Sequence, residues 1–435
     1  VNRIAALVCP VLLLATSQAS AVVTDGALED AARAADAQVL EWRRDIHQHP
    51  ELGNREFRTA QKVAEHLQSL GLEVKTGIAH TGVVGILRGG RPGPAIALRA
   101  DMDALPVTEQ VDLPFKSVAT AEYRGETVGV MHACGHDAHT AILMGVAQAL
   151  AGLRENLPGT VLFVFQPAEE GAPEGERGGA ALMLEEGLFE IVKPEAVFGL
   201  HVFAALETGT IGYRPGPVMA ASDSYRIVVR GRQSHGARPW EGVDPIVVAS
   251  QVVLGMQTIV SRQTDITRYP AVLSVGAIKG GIRSNIIPDE VELVGTLRTF
   301  DPTVRQQMIE RMTRTAVDIA HSAGATAAVE MGDQSNPVLV NDEALTARVR
   351  PSLERIAGAG RVVQIPYLTS AEDFAYYAQR VPSLFFQLGV TPPGSDMAQV
   401  AGVHSPRFKL DEAALPIGLR AMLGVAVDYL QGTKR

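Results

Sequence analysis

Hydrophobic positions along the chain follow two different periods. A helical period predicts helices over residues 27–49, ending at His49-Pro50, and over about 55–70, closed by Gly71. Short continuous apolar runs then alternate with helical segments. "PAIALRADMD" (94–103) reads as a buried strand ending in acidic residues. "TVLFVFQPAEEG" (160–171) reads as a strand that breaks at Pro167, and "EAVFGLHV" (195–202) and "PSLFFQLG" (382–389) as two more. A helix is expected over 138–151, with Asp137 placed to cap it. Continuous apolar strands separated by helices indicate a mostly parallel sheet buried on both faces, an α/β domain. The middle of the chain differs. "SYRIVVRG" (224–231) and "EVELVGTLRTF" (290–300) alternate apolar and polar residues, as half-wet antiparallel strands do. Two helices accompany them, about 244–263 and 302–322, the second with Asp301 as cap, Pro302 in its first turn and Gly324 after it. The expected organisation is an α/β domain in two parts, 27–217 and 335–435, interrupted by an inserted α+β domain over 218–334.

The N-terminus changes the picture. Asn2-Arg3 is followed by an apolar run over residues 4–15 and a small-residue "ASA" at 19–21, the layout of a secretory signal peptide cleaved near Ala21. Export to the periplasm or the exterior is the expectation, and no later run is read as long enough to span a membrane. The 435-residue chain carries a net charge of −9 and no basic cluster, which argues against a nucleic-acid partner. It has only two cysteines, and cleavage would remove Cys9. A disulfide framework is then excluded within one chain, and Cys134 needs protection by burial or by a metal.

Candidate chemistry collects at the carboxyl ends of the predicted strands, where open α/β sheets bind ligands. Asp101 and Asp103 follow one strand, Glu169 and Glu170 a second, and His201 a third. Cys134 and His136 stand before a helix in "MHACGHDAHT", with Gly135 allowing a tight turn between them, and His404 lies in a late loop, "GVHSPRF". Each residue alone has an ordinary structural reading. Their convergence on one face supplies thiolate, imidazole and carboxylate together, a set for which zinc is the default and manganese, cobalt or nickel are alternatives. A thiolate can bridge two cations, and of two adjacent glutamates one can bind metal while the other stays free as a base.

These segments resemble a known group. "RRDIHQHPELGNREFRTAQKVAEHLQSLGLEV" (43–74), "RADMDALPV" (99–107), "MHACGHDAHTA" (131–141), "FQPAEEG" (165–171), "GLHV" (199–202), "SHGARP" (234–239), "NIIPDEVELVGTLRTF" (285–300), "AEDFAYY" (371–377) and "HSPRF" (404–408) are similar to the aminoacylase/carboxypeptidase-like dizinc metallopeptidases. The branch is that of hippurate hydrolases, indole-acetyl-amino-acid amidohydrolases and N-acyl-amino-acid amidohydrolases. The resemblance implies that Cys134 bridges two metal ions, with His136 and His201 on one and Glu170 and His404 on the other. Glu169 would be the general base, and Asp103 and Asp101 would stand behind the ligands. The inserted domain would be a lid and dimerisation domain whose His235 reaches the substrate carbonyl oxygen across a homodimer, with Asn285 and Arg298 holding the substrate. The implied reaction is hydrolysis of an N-acyl amino acid or a small peptide by metal-activated water. Two rivals are a Cys134 nucleophile and a non-catalytic metal- or ligand-binding protein. One departure concerns the lid: "ARP" is often followed by His in this branch, and here by Trp240.

Overall fold

The computed structural model describes residues 22–432, so the leader expected over 1–21 lies outside the described residues. The large sheet has eight strands. Its centre is the four apolar runs, seen as Pro158–Gln166, Arg91–Asp101, Ala196–Glu207 and Ser383–Thr391, adjacent in that order and all mutually parallel. Antiparallel strands Glu73–Ile78 and Gly82–Arg88 extend one edge, and short strands Ile211–Tyr213 and Val362–Gln364 the other.

The absence of polar alternation in the central strands has a direct cause. Successive side chains point to opposite faces, and both faces are covered. Phe163 and Phe165 enter a core built with helices Asp25–Gln48, His136–Gly152 and Leu415–Leu430. Leu162 and Val164 enter a second core with Met183, Phe374 and Tyr377 on the opposite face. All six side chains other than Val164 are completely buried, and Val164 is 1% exposed. Truncating any one of the phenylalanines to alanine removes about 3–5 kcal/mol of stability. The register also aligns the strand ends that matter: Asp101 lies opposite Gln166, and His201 opposite Gln387.

A four-stranded antiparallel sheet, in the order Val272–Gly280, Glu290–Thr299, Ala221–Arg230 and Thr326–Asn336, carries helices Pro245–Gln263 and Pro302–Ser322 over a separate core. Asp244 and Asp301 cap these helices, each followed by proline, which has no N–H to leave unsatisfied. The membrane-span expectation needs correction. Among the described residues, Pro245–Gln263 and Glu412–Leu430 are long and apolar enough to cross a bilayer by length and composition. For the second, 78% of that window is buried inside the protein, as in a core helix; for the first the share is 33%.

Candidate metal centre

The site is assembled by three turns that only particular backbones allow. Gly135 adopts φ 86°, and a Cβ there would lie 2.4 Å from Val202 Cγ2. Glycine therefore lets the turn press against the strand that carries His201. Ala168 and His404 hold positive φ values of 50° and 68°, uncommon for residues with a Cβ. The Ala168 N–H donates to Glu56 at 2.9 Å, and the His404 N–H donates to the Ala133 carbonyl at 2.7 Å. The turn at Ala168 brings both glutamates to one side, and the His404 contact docks the late loop onto the Cys134 segment.

Six predicted residues meet as a result. Donor atoms of Cys134, His136 and His201 lie within 4.8 Å of one another, and so do those of Cys134, Glu170 and His404. Cys134 is common to both groups. Glu169 joins through His136 and Glu170 within the same distance. The His136 Nδ1–H donates to Asp103 at 3.2 Å and the His201 Nδ1–H donates to its neighbour's carbonyl at 2.6 Å, so both rings turn Nε2 inward. His136 Nε2 is buried without any hydrogen-bond partner. Glu170 Oε1 pairs with His404 Nε2 at 2.9 Å. A buried nitrogen left unpaired, as His136 Nε2 is, is costly, and a cation would satisfy it. The donor set therefore fits two divalent ions sharing one thiolate.

Asp103 and Asp101 stand behind these ligands. Asp103 also accepts from the Glu170 N–H at 2.9 Å. Asp101 accepts from His139 Nδ1–H at 2.6 Å and from Arg99 at 2.5 Å, and His139 Nε2 accepts the Val202 N–H at 2.9 Å, beside His201. Burial, then the Glu170 and Glu169 carboxylates, hold the Cys134 thiol well above its ordinary pKa. That environment opposes a free nucleophilic thiolate. A bound cation reverses the balance.

Asp137 does not cap its helix. The helix begins one residue earlier, at His136, with Gly135 in the cap position. The Asp137 carboxylate is instead buried against Arg43 Nε at 2.9 Å and His47 Nδ1 at 2.8 Å, and His47 Nε2 lies 3.3 Å from Glu109. Sequence reasoning gave His47 no role, because its partner lies 90 residues away. Burial opposes ionisation of Asp137, but Arg43 and His47 hold its pKa far below the carboxylate range. The variant D137N removes one of the two carboxylates that face Arg43, leaving Glu412 at 3.1 Å, and is expected to destabilise the protein by about 1–3 kcal/mol, read from denaturant midpoints. Because the folded pKa is depressed, the difference from wild type is complete at neutral pH and shrinks as pH falls below about 4.

A cavity of about 310 Å³ opens in front of Glu169 and Glu170, lined also by Arg177, Ser222, Asn336 and Tyr376. A larger one of about 980 Å³, lined by Arg44, Phe115, Val400 and Arg407 among others, contains none of the predicted ligands. The three remaining predicted residues are divided. Arg298 contacts the Ser222 hydroxyl at the rim of the smaller cavity. His235 and Asn285 are exposed together, joined by the Gly236 N–H to the Asn285 carbonyl at 2.8 Å. They sit near the Glu290 end of the strand whose other end carries Arg298. That strand advances about 3.3 Å per residue, which separates the two positions by roughly 25 Å. One chain's His235 is thus not brought to its own Glu169. Trp240, 76% exposed, lies on the single turn that follows His235. Tertiary structure adds Arg99, Gln166, Glu372 and Asp373, a buried polar group behind Glu169; the sequence signal for the last two was "AEDF", which no ligand pattern claims.

This geometry agrees with comparison to known proteins. The chain is 38% identical over 403 residues to thermostable carboxypeptidase 1 of Saccharolobus solfataricus, covering 92% of this chain and 98% of that one. It is 38% identical over 380 residues to an N-acetyl-L-cysteine deacetylase of Bacillus subtilis, covering 87% and 85%. Among solved structures, a Bacillus subtilis dinuclear metal binding peptidase from family M20 superposes with a TM-score of 0.76 at 35% identity, covering 92% of this chain and all of that one. Residues 97–428 match the family model, and the chain belongs to peptidase family M20/M25/M40.

Proposed function

We propose that this enzyme, an amide-bond hydrolase by family, cleaves N-acyl amino acids to a carboxylic acid and a free amino acid. The observation that carries the reading is the pair of donor groups sharing Cys134, with the carboxylate of Glu169 beside them at an open cavity. Cys134 would bridge two ions, His136 and His201 completing one site and Glu170 and His404 the other. Thiolate and imidazole donors favour zinc. Bound there, two divalent cations supply Lewis acidity and a water activated at neutral pH. Glu169 takes the proton of the attacking water and returns it to the leaving amine. Burial, then Glu372, Glu170 and Asp373, raise its pKa well above the ordinary carboxylate value, which strengthens it as a proton acceptor.

His235 stabilises the developing oxyanion from a second copy of the chain; its distance from the Glu169 of its own chain supports a homodimer built through the inserted domain. Asn285 would act from that copy too, while Arg298 serves its own cavity. The apolar leader over 1–21 supports export. A second reading, carboxypeptidase action, is favoured by the identity to the Saccharolobus enzyme.

A panel of N-acetyl, N-benzoyl and indole-acetyl amino acids with dipeptides, run on metal-reconstituted protein, tests both. The expected result is a kcat/KM for at least one N-acyl class about tenfold or more above that for any dipeptide. The reverse order selects the carboxypeptidase reading, and silence across the panel with zinc, manganese or cobalt added discards both.

A further inference from the structure

We propose that Asp373 is a positioning residue that fixes Glu169 and Glu170 by gripping both ends of the loop that carries them. Glu169 and Glu170 lie between the strand that ends at Gln166 and the helix that starts at Gly179. Asp373 Oδ1 accepts from Gln166 Nε2 at 2.7 Å, at the loop's start. Oδ2 accepts from the same amide at 2.9 Å and from the Ala180 N–H at 2.7 Å, at its end. One carboxylate thus closes a segment of about a dozen residues.

Two further observations support a built contact. Gly179 has φ 68°, and a Cβ there would lie 2.3 Å from Asp373 Oδ2, so only glycine lets the backbone come this close to the carboxylate. The clamp is also anchored from behind. Arg99, 1% exposed, donates to Asp373 at 3.0 Å, Glu372 at 2.9 Å, Gln166 Oε1 at 2.9 Å and Asp101 at 2.5 Å. A fully bonded buried network of this kind holds one arrangement, because each broken contact strands a polar atom away from water.

The consequence is asymmetric. Of the presumed metal ligands, Glu170 alone sits on the clamped loop. Cys134, His136, His201 and His404 stand on other segments, and none of them hydrogen-bonds to Asp373 among the described residues. Loosening the clamp therefore weakens one cation site and displaces the general base, and leaves the His136–His201 site in place. A general packing defect weakens both sites together.

Full-length D373N and G179A, reconstituted with zinc, test this by chelator competition and steady-state kinetics. D373N places an amide NH2 where a donor already points, and G179A changes no charge at all. Both are expected to lose about tenfold or more in affinity at one of two zinc sites and to stay within about twofold at the other. Both should lose about a hundredfold in kcat, the effect of a displacement near 1 Å, with KM within about threefold. Circular dichroism confirms folding, and G179A suffices if D373N does not fold. Equal loss at both sites, or unchanged affinity and kcat in both variants, overturns the clamp. The proposal rests on the roles given to Glu169 and Glu170, so E170Q is run alongside. Loss of one site in E170Q with none in the clamp variants overturns the clamp alone. No loss in E170Q overturns the ligand assignment.

Discussion

Replacing Glu169 by glutamine is expected to lower kcat by about 10²–10⁴-fold, the contribution of a positioned general base, while both metal ions remain bound. Glutamine keeps the size and planarity of the side chain and removes only its ability to accept a proton. The neighbouring carboxylate Glu170 cannot substitute. It is turned onto His404 and His136, and although burial pushes its pKa up, those rings bring it below the ordinary value, so it is the poorer proton acceptor of the two. Steady-state kinetics and metal analysis of E169Q are the measurements. Metal loss accompanied by residual activity would show that Glu169 is a ligand, and the two glutamates would exchange roles.

Removing the metal is expected to abolish turnover, and adding zinc back to restore it. The stripped protein should also melt at a lower temperature, because a ligand that binds only the folded state at a hundred times its Kd stabilises by about 2.7 kcal/mol. Cys134 makes this experiment decisive between mechanisms. Without a cation its thiol is held protonated by burial and by Glu170 and Glu169, so the stripped enzyme has no thiolate nucleophile to fall back on. Iodoacetamide should accordingly spare the loaded enzyme. A protein that survives chelation and dies on alkylation would instead be a cysteine-nucleophile hydrolase.

The chemistry needed for these experiments was largely readable from the chain, for a specific reason. The four central strands are mostly apolar along their length because both faces are covered, so their ends could be located, and ligands collect at strand ends in such sheets. Asp101, Asp103, Glu169, Glu170 and His201 follow from that rule, and the turn at Gly135 follows from glycine's freedom. The alternating strands and the capped, proline-led helices of the inserted segment were equally local signals.

Other features depended on partners far away in sequence. Asp137 has the composition and place of a helix cap, and only the approach of Arg43 and His47 makes it half of a buried ion pair. Whether adjacent Glu169 and Glu170 face the same way was open in an extended chain and was decided by the positive φ of Ala168, which no residue preference announces. Asp373 acts on a loop about two hundred residues before it. The sequence by itself determined which residue types stand at strand ends and where helices start, because those depend on periodicity and on neighbours within a turn. Tertiary structure alone decided which side chains share a proton or a charge, because those depend on distances of a few ångströms between segments that the chain order does not relate.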